Sequence, residues 1–564
     1  MRSPALVACT LVGIVGLLLG PSAGMADGAA TIASSFAGTD LTTAEALTGS
    51  AFAPPDTDGA IGLNHYVEFI NGAFSVYNRD GTLAAPRISD QTFWTNAGLS
   101  VSGLSDTRIL YDTVSQRWFA AELTTAERIN NHLLLARSDT SDPTGAWKAV
   151  SLNAATGRFA DYTQLGLDAN GVYLTSNNFN SFGSFTGVSV YSIPKADLLA
   201  ATPSTARLSR FNDLSGAFAL QPVVDYANAK GAAPFYSAVP NSAGSTSLVT
   251  GRLSGSGAAG ASLAPLGSAT VPTWSTSPNY APQPDGTFQL DNLDGRFQSA
   301  GYQIGNDVWL VNSVDAGSAD NHRAGLRWYH INYTTNALVA SGLIADPSYD
   351  FFNAAIAANA HGDVVIGYTR SGVAGTAPGG NASAMALAGA TSGTTTTFGS
   401  PRTDAVMMQQ GLAGNYHLFG GAGERWGDFS AVSVDPTDPF TFWVIQEYAK
   451  AGGGSSSVWA NWVTAISVPH PLIAGDANED GKVNFADYQA LEAHFGMLSG
   501  AVWTDGDFDG DGEVLFDDYQ ILEAHFGQQQ IPEPAALSLL SLGGLAWACL
   551  RRRQSHYQAQ RILS

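Results

Sequence analysis

One recurring unit constrains what most of this chain can fold into. Between residues 50 and 468 the sequence returns to the same order: an apolar residue or glycine, then Asn or Asp, a short turn, and an aromatic or β-branched run. The anchors are Asn64, Asp112, Asp168, Asp225, Asn306, Asn359 and Asp435. Their mean step of about 62 residues suits a four-stranded unit with its loops. Asn and Asp bend the chain by accepting hydrogen bonds from their own backbone two residues on, and the runs that follow favour strands. No long helical period interrupts them. The pattern predicts an all-β body, and seven units favour a β-propeller of seven blades, with six or eight as neighbouring counts.

Two of the units agree in more than pattern. Arg158-Phe-Ala-Asp161-Tyr-Thr-Gln-Leu-Gly-Leu-Asp168 aligns with Arg425-Trp-Gly-Asp428-Phe-Ser-Ala-Val-Ser-Val-Asp435. An arginine and an aspartate three apart on duplicated strands have two readings. They tie neighbouring strands by charge-assisted hydrogen bonds, or they face a shared channel, where Arg158, Asp161, Arg425 and Asp428, with Arg108 beside them, form a catalytic site. The stretches Pro54–Val67 and Arg425–Trp443 resemble the openings and closings of exported bacterial proteins with sialidase-like propellers. Ser141-Asp-Pro-Thr-Gly145-Ala-Trp147 resembles the Asp-box turn of such propellers, which is structural in the family. The leading expectation is a surface propeller that binds glycan or protein. The alternative the resemblance implies is a hydrolase acting on O-glycosyl compounds of extracellular polysaccharide, and a third reading is an envelope scaffold. No metalloprotease helix motif, nucleophile elbow or phosphate loop is present.

A second repeat follows the body. Gly475–Gly496 recurs as Gly506–Gly527. The first copy places Asp476, Asn478, Asp480, Asn484 and Asp487 at loop positions 1, 3, 5, 9 and 12, with Gly481 at position 6. The second places Asp507, Asp509, Asp511 and Asp518 at positions 1, 3, 5 and 12, with Gly512 at position 6. Alternate oxygens around a sharp glycine turn are what a hard cation such as calcium requires, and Lys482 and Glu513 would add the backbone carbonyl of position 7. Leu515 stands at position 9 of the second loop, so the second of the two calcium sites is expected to bind more weakly or to use water at that position. Phe485, Tyr488, Leu491 and Phe495, matched by Phe516, Tyr519, Leu522 and Phe526, are spaced to share one helical face. A duplicated loop and helix with Asp at position 12 resembles a type I dockerin. That resemblance implies a small all-α domain over residues 472–528, and a cohesin-like partner chosen by positions 10 and 11: Phe485 and Ala486, then Phe516 and Asp517.

Charge and the chain ends complete the reading. The net charge is −22. Between Gly475 and Gly527 stand 13 acidic residues and one lysine, a local excess that suits cations, while an acidic chain argues against nucleic acid. Residues 1–26 read as a secretory signal, with an apolar run shorter than a spanning helix and small residues at its end. Residues 27–49 read as a short leading segment before the body at 50–468. At 531–553, Pro532-Glu533-Pro534, the apolar Ala535–Leu550 and Arg551–Arg553 resemble a PEP-CTERM sorting tail. That tail implies a transmembrane segment, an exosortase-type processing partner and a place in the cell envelope or on its surface, with release after processing. The only cysteines are Cys9 and Cys549, so no disulfide braces the body.

Overall fold

The computed structural model describes residues 30–528 apart from 226–231, 258–259, 279, 318–321, 377–378, 419–422, 453–456, 470–472 and 479–481. The expected signal at 1–26, the tail at 531–553 and the ligand candidate Asp480 lie outside the described residues. Among the described residues no helix is long and apolar enough to cross a membrane.

The body runs through antiparallel meanders in chain order. Meander I comprises Asp58–Ile61, His65–Ile70 and Ala73–Asn78. Meander II comprises Leu104–Asp112, Arg117–Thr124, His132–Ser138 and Trp147–Asn153. Meander III comprises Phe159–Leu167, Gly171–Phe179, Phe185–Pro194 and Ser209–Leu214. Meander IV is built on Gln221–Val224, Ala232–Ser237, Ser245–Ser254 and Gly267–Trp274, and meander V on Gly301–Ile304, Asp307–Asp315, Ala324–Asn332 and Ala337–Ile344. Meander VI starts with Asp350–Ala358, Asp363–Ser371 and Ser383–Ser392, whose last strand pairs with both Thr395–Phe398 and Val406–Gln409. Meander VII comprises Ala431–Val434, Thr441–Ala451 and Ser457–Ser467.

The first strands touch in a cycle: I with II, II with III, and so on to VII, which touches I again. Short parallel pairings, Val224 with Leu167 and Val223 with Gly301, join the first strands of III, IV and V directly. A small separate sheet is made by Tyr280–Pro282, Gln289–Asp291 and Gly423–Glu424.

The sequence anchors explain this order. Six of the seven fall between the first and second strands of a meander, and Asp112 ends the first strand of its own. Asp168 Oδ1 accepts from the amides of Asn170 (2.7 Å) and Gly171 (2.8 Å). Asn359 Oδ1 does the same for His361 (3.0 Å) and Asp363 (2.8 Å), and Asp435 Oδ1 for Thr437 (2.8 Å). The strands then alternate between two apolar layers, as the period of two requires. In Arg117–Thr124, Trp118 and Ala120 pack in the layer shared with meander I, while Phe119 and Ala121 pack in the layer shared with meander III. Strands covered on both sides therefore read as nearly continuous burial, and all nine residues of Asp350–Ala358 are buried.

The boundary at residue 50 is corrected by the structure. Thr31–Asp40 pairs antiparallel with Ser457–Ser467 as the outermost strand of meander VII, so the body begins inside the expected 27–49 segment. An unpaired outer strand would expose a row of backbone donors and acceptors, and the start of the body covers the edge left by its end.

The C-terminal module has two helices, Phe485–His494 and Phe516–His525. Each loop bonds to the chain after the other helix. The Val483 amide donates to Gln528 O (2.9 Å) and its carbonyl accepts from Gly527 N (2.7 Å). The Val514 amide donates to Met497 O (2.9 Å) and its carbonyl accepts from Gly496 N (2.8 Å). Ala477, Val483, Leu491, Phe508, Val514 and Leu522 make a small core. The shared apolar face expected on each helix is only partly buried. Leu491 and Leu522 are enclosed, whereas Phe485, Phe495, Phe516 and Phe526 are 61, 53, 62 and 54% exposed. Among the described residues the two ten-residue helices cover only the middle of each stripe, and its ends are left to solvent.

Candidate functional site

The first strands enter the ring through strained backbone. Asp56, Asp106, Tyr162, Ala219 and Asn353 carry φ of 51, 66, 56, 48 and 53°. Each lies at or just before the first strand of its meander, and none is glycine. Left-handed backbone costs an L-residue about 1–2 kcal/mol and persists where the surroundings over-determine it. Asn71 supplies part of that restraint: its Nδ2 donates to Asp56 Oδ2 (2.9 Å) and Pro54 O (3.1 Å), and its Oδ1 accepts from the Asp106 amide (3.1 Å). Asp106 Oδ2 in turn accepts from the Thr163 amide (3.2 Å), and Asn177 Oδ1 accepts from the Ala219 amide (2.8 Å). Meanders I to IV are thus laced together at one end.

That end holds a cavity of about 390 Å³. Asp56, Asp106, Asp161 and Asp428 line it together with Arg296 and Arg425, and Phe52, Phe179, Phe218 and Leu293 add apolar wall. Arg425 Nη2 donates to Asp428 Oδ1 at 2.5 Å. Arg296 is clamped by Asp294 through Nε–Oδ1 (2.8 Å) and Nη2–Oδ2 (2.6 Å), with its guanidinium 4.7 Å from the centres of the Tyr162 and Phe218 rings. Glu447 Oε2 accepts from the Gly427 amide (2.8 Å) and holds the segment that carries both Arg425 and Asp428. A β-carbon at Gly427 would come within 2.7 Å of Asn353 Nδ2 and 2.8 Å of Glu447 Oε2, so a larger residue would have to push these two side-chain ends aside.

The carboxyl groups do not share one environment. Burial, and then the charges of Asp161 and Asp428, push Asp106 up to about 7. Burial, then Asp428 and Asp106, raises Asp56 well above the usual carboxylate range. Burial and Asp428 also raise Asp161, with Arg296 and Arg425 pulling the other way. A carboxyl that keeps its proton close to neutrality beside a carboxylate anchored to arginine is the pairing that general acid–base chemistry uses.

Of the sequence candidates, Asp161, Arg425 and Asp428 meet at this cavity and Arg158 does not. Arg158 Nε donates to Asp213 Oδ1 (3.1 Å), a tie within meander III. Arg108 lines a separate small cavity, with Nε 3.5 Å from Asp58 Oδ2 and its guanidinium 4.3 Å from the centre of the Phe429 ring. Asp56, Asp106 and Arg296 were missed by sequence reasoning. For the two aspartates only a loose signal exists: a hydroxyl residue follows directly in Asp56-Thr57 and Asp106-Thr107 and one residue later in Asp161-Tyr-Thr163 and Asp428-Phe-Ser430. Arg296 follows a turn between meanders and carries no such mark. The Asp-box-like stretch joins the third and fourth strands of meander II, with Trp147 Nε1 donating to Pro143 O (2.9 Å).

In the second loop of the C-terminal module, carboxylate oxygens of Asp507, Asp509 and Asp511 all lie within 4.8 Å of one another. Asp518 closes the loop, with Oδ1 accepting from Phe508 N (2.7 Å) and Oδ2 from Leu515 N (2.8 Å). Asp487 plays the matching part in the first loop, accepting from Asn478 N (3.1 Å) and Asn484 N (2.8 Å). The loops differ at position 9. Asn484 Oδ1 caps its helix by accepting from Ala486 N (2.9 Å), and Leu515 offers no side-chain cap. Asp476 is buried, whereas Asn478, Lys482 and Glu513 stand at or near the surface. The expected partner positions Phe485, Ala486, Phe516 and Asp517 are all exposed.

No family model matches this sequence, and no curated protein matches it. Among solved structures, a Bacillus subtilis arabinanase is similar at 9% identity over 59% of this chain and 93% of its own, with a TM-score of 0.27. An α-L-arabinofuranosidase from Fusarium graminearum is similar at 8% identity over 73% of this chain and 94% of its own, TM-score 0.32. Extracellular domains 1–2 of Drosophila semaphorin 1b are similar at 8% identity over 79% of this chain and 88% of theirs, TM-score 0.35. The three differ in kind, and likeness at this level carries no argument about activity.

Proposed function

We propose that this chain is an exported seven-bladed propeller that hydrolyses O-glycosyl bonds of an extracellular polysaccharide. The observation that carries this reading is the cavity on the strained ends of the first strands, where Asp106, Asp161 and Asp428 converge with Arg425. The cycle of contacts among first strands supports the propeller and its count. In this chemistry Asp106 gives its proton to the leaving glycosidic oxygen as the bond to the anomeric carbon breaks. Asp428, oriented by Arg425, takes the proton of the water whose oxygen bonds to that carbon. Arg296 and Asp161 set the field around both groups.

The test is turnover on a polysaccharide panel with Asp106→Asn as the comparison. A drop in kcat of about a hundredfold or more is expected with fold and glycan binding retained. If the unaltered chain binds glycan and cleaves none of the panel, the protein is a binding module and the hydrolase reading fails.

The C-terminal module, on this reading, is a calcium-stiffened spacer or docking element between the propeller and the sorting tail. Converging oxygens of Asp507, Asp509 and Asp511 support a hard-cation site there. The ligands would be Asp507, Asp509, Asp511, Asp518 and the Glu513 carbonyl in the second loop, with the Asp476 loop as its counterpart. Calorimetry should show calcium uptake by the full chain and loss of one site in the double change Asp509→Ala, Asp511→Ala; the same heat in both proteins would exclude that loop. The exposed Phe485 and Phe516 support docking of a cohesin-like protein, which pull-down with and without calcium would test.

A further inference from the structure

We infer that the turn at residues 180–184 forms an outer sugar-binding subsite beside the cavity, with Phe182 as the platform on which one unit of a longer polysaccharide chain stacks. This rests on the cavity being the glycan site, and adds that the protein reads several consecutive sugars of a chain.

Three observations carry it. First, Phe182 is the most exposed large apolar side chain among the described residues, at 92%, and the turn that displays it is held in place. Asn180 N donates to Ser184 O (3.0 Å), and Asn180 Oδ1 accepts from the amides of Phe182 (2.9 Å) and Ser184 (3.1 Å). A ring shown on a pre-formed turn gives up little further freedom on binding. Second, the turn is continuous with the cavity. It joins Gly171–Phe179 to Phe185–Pro194, and Phe179 and Phe185 stand opposite one another at its base, two residues from the pairing of Asn177 with Asp161. Phe185 packs edge to face against both Phe179 and Phe218, with ring centres 5.8 and 5.2 Å away, and those two rings line the cavity. Phe182 lies three residues beyond Phe179, within about 11 Å of extended chain. A lone exposed ring is ordinary on a protein surface, whereas an aromatic series leading out of a concave site marks a ligand groove. Third, the hairpin is uncharged: no Asp, Glu, Lys or Arg stands between Asp168 and Lys195. It offers an anionic lipid surface nothing to hold. Ser181 and Ser184 are exposed on either side of Phe182, and an aromatic face flanked by hydroxyls matches a sugar ring. The C–H face of the sugar lies against the electron-rich face of the aromatic, and its hydroxyls take the polar partners.

The experiment is calorimetric titration of the full chain with neutral disaccharides and hexasaccharides prepared from cellulose, xylan, mannan and starch. In a series that binds, the hexasaccharide should bind at least about tenfold more tightly than the disaccharide. Phe182→Ala should remove most of that ratio, and Phe182→Tyr should restore it. Because the ring is exposed, both variants should melt with the unaltered chain; if Phe182→Ala does not, the ratio in the unaltered chain and in Phe182→Tyr still decides. A ratio near one in the unaltered chain, a ratio that survives Phe182→Ala, or no binding in any series would each overturn the inference. So would Phe182-dependent sedimentation with phosphatidylcholine vesicles in place of a length effect, which would assign the turn to a lipid surface. Asp106-dependent cleavage of a glycan without any length effect would remove this inference and leave the hydrolase reading standing; length-dependent binding through Phe182 without turnover would do the reverse.

Discussion

Arg158–Asp161 and Arg425–Asp428 are copies of one motif, and the fold uses them differently. Both aspartates reach the cavity. Only Arg425 follows its aspartate there, while Arg158 turns to Asp213 in its own meander. Asp161 instead lies near Arg296, which enters from the far side over the Tyr162 ring. A duplicated motif therefore preserved the position of the acid at the strand entrance and released the arginine to serve whichever partner the next loop offered.

The largest effect expected from this contrast is on turnover. Asp428→Asn should cost about 10²–10⁴-fold in kcat on a cleaved glycan, whereas Arg158→Ala should leave kcat within about twofold because it touches no cavity group. Equal losses in the two variants would mean that the motif acts as a unit.

A second expectation concerns pH. Asp106 takes up its proton on folding, since its carboxyl is raised from 3.8 to about 7. Its favourable contribution is complete below the unfolded value and is lost as pH rises through about 7. Beside burial, the charges that raise it are those of Asp161 and Asp428, and hydrogen bonds from Ser105 and the Thr163 amide oppose them; Asp56, Arg296 and Arg425 line the same cavity. Asp106→Asn should therefore gain on the unaltered chain as pH rises from about 4 to 8, by up to a few kcal/mol. Urea midpoints at the two ends of that range check this, and a constant difference would remove Asp106 as the titrating group. Activity that depends on the protonated acid should fall above about pH 7.

Stability gives a smaller contrast. Arg158→Ala removes a part-exposed pair and should cost about 0–1 kcal/mol by denaturant unfolding. The smallest effect lies in the other duplicated region. Asn484 caps its helix and Leu515 does not, so Leu515→Asn should stabilise the module by about 1 kcal/mol and tighten calcium at the second loop. A rise in melting temperature without tighter calcium would show that position 9 serves the helix alone.

Much of the architecture was legible because it rests on short-range chemistry. Asx turns depend on one side chain and its own backbone, so Asn64 through Asp435 marked the first turn of every meander. Glycine and carboxylate spacing marked the loops at Asp476 and Asp507 for the same reason. The leading strand was not legible. Thr31–Asp40 looks like an ordinary edge segment until its partner Ser457–Ser467, at the other end of the body, is known. The exposed Phe485 and Phe516 could not be foreseen either, since periodicity states which residues share a face and not whether another layer exists to cover it.

The sequence by itself determined the repeated meander, its turns, the acidic loop geometry and the presence of an acid at several strand entrances, because each is encoded within a dozen neighbouring residues. Only the tertiary structure decided which of those acids meet, that Arg296 and not Arg158 stands among them, and that Asp56 and Asp106 are driven towards their protonated forms. Those outcomes depend on burial and on charges brought together from meanders I, II, III and VII, and no local window contains them.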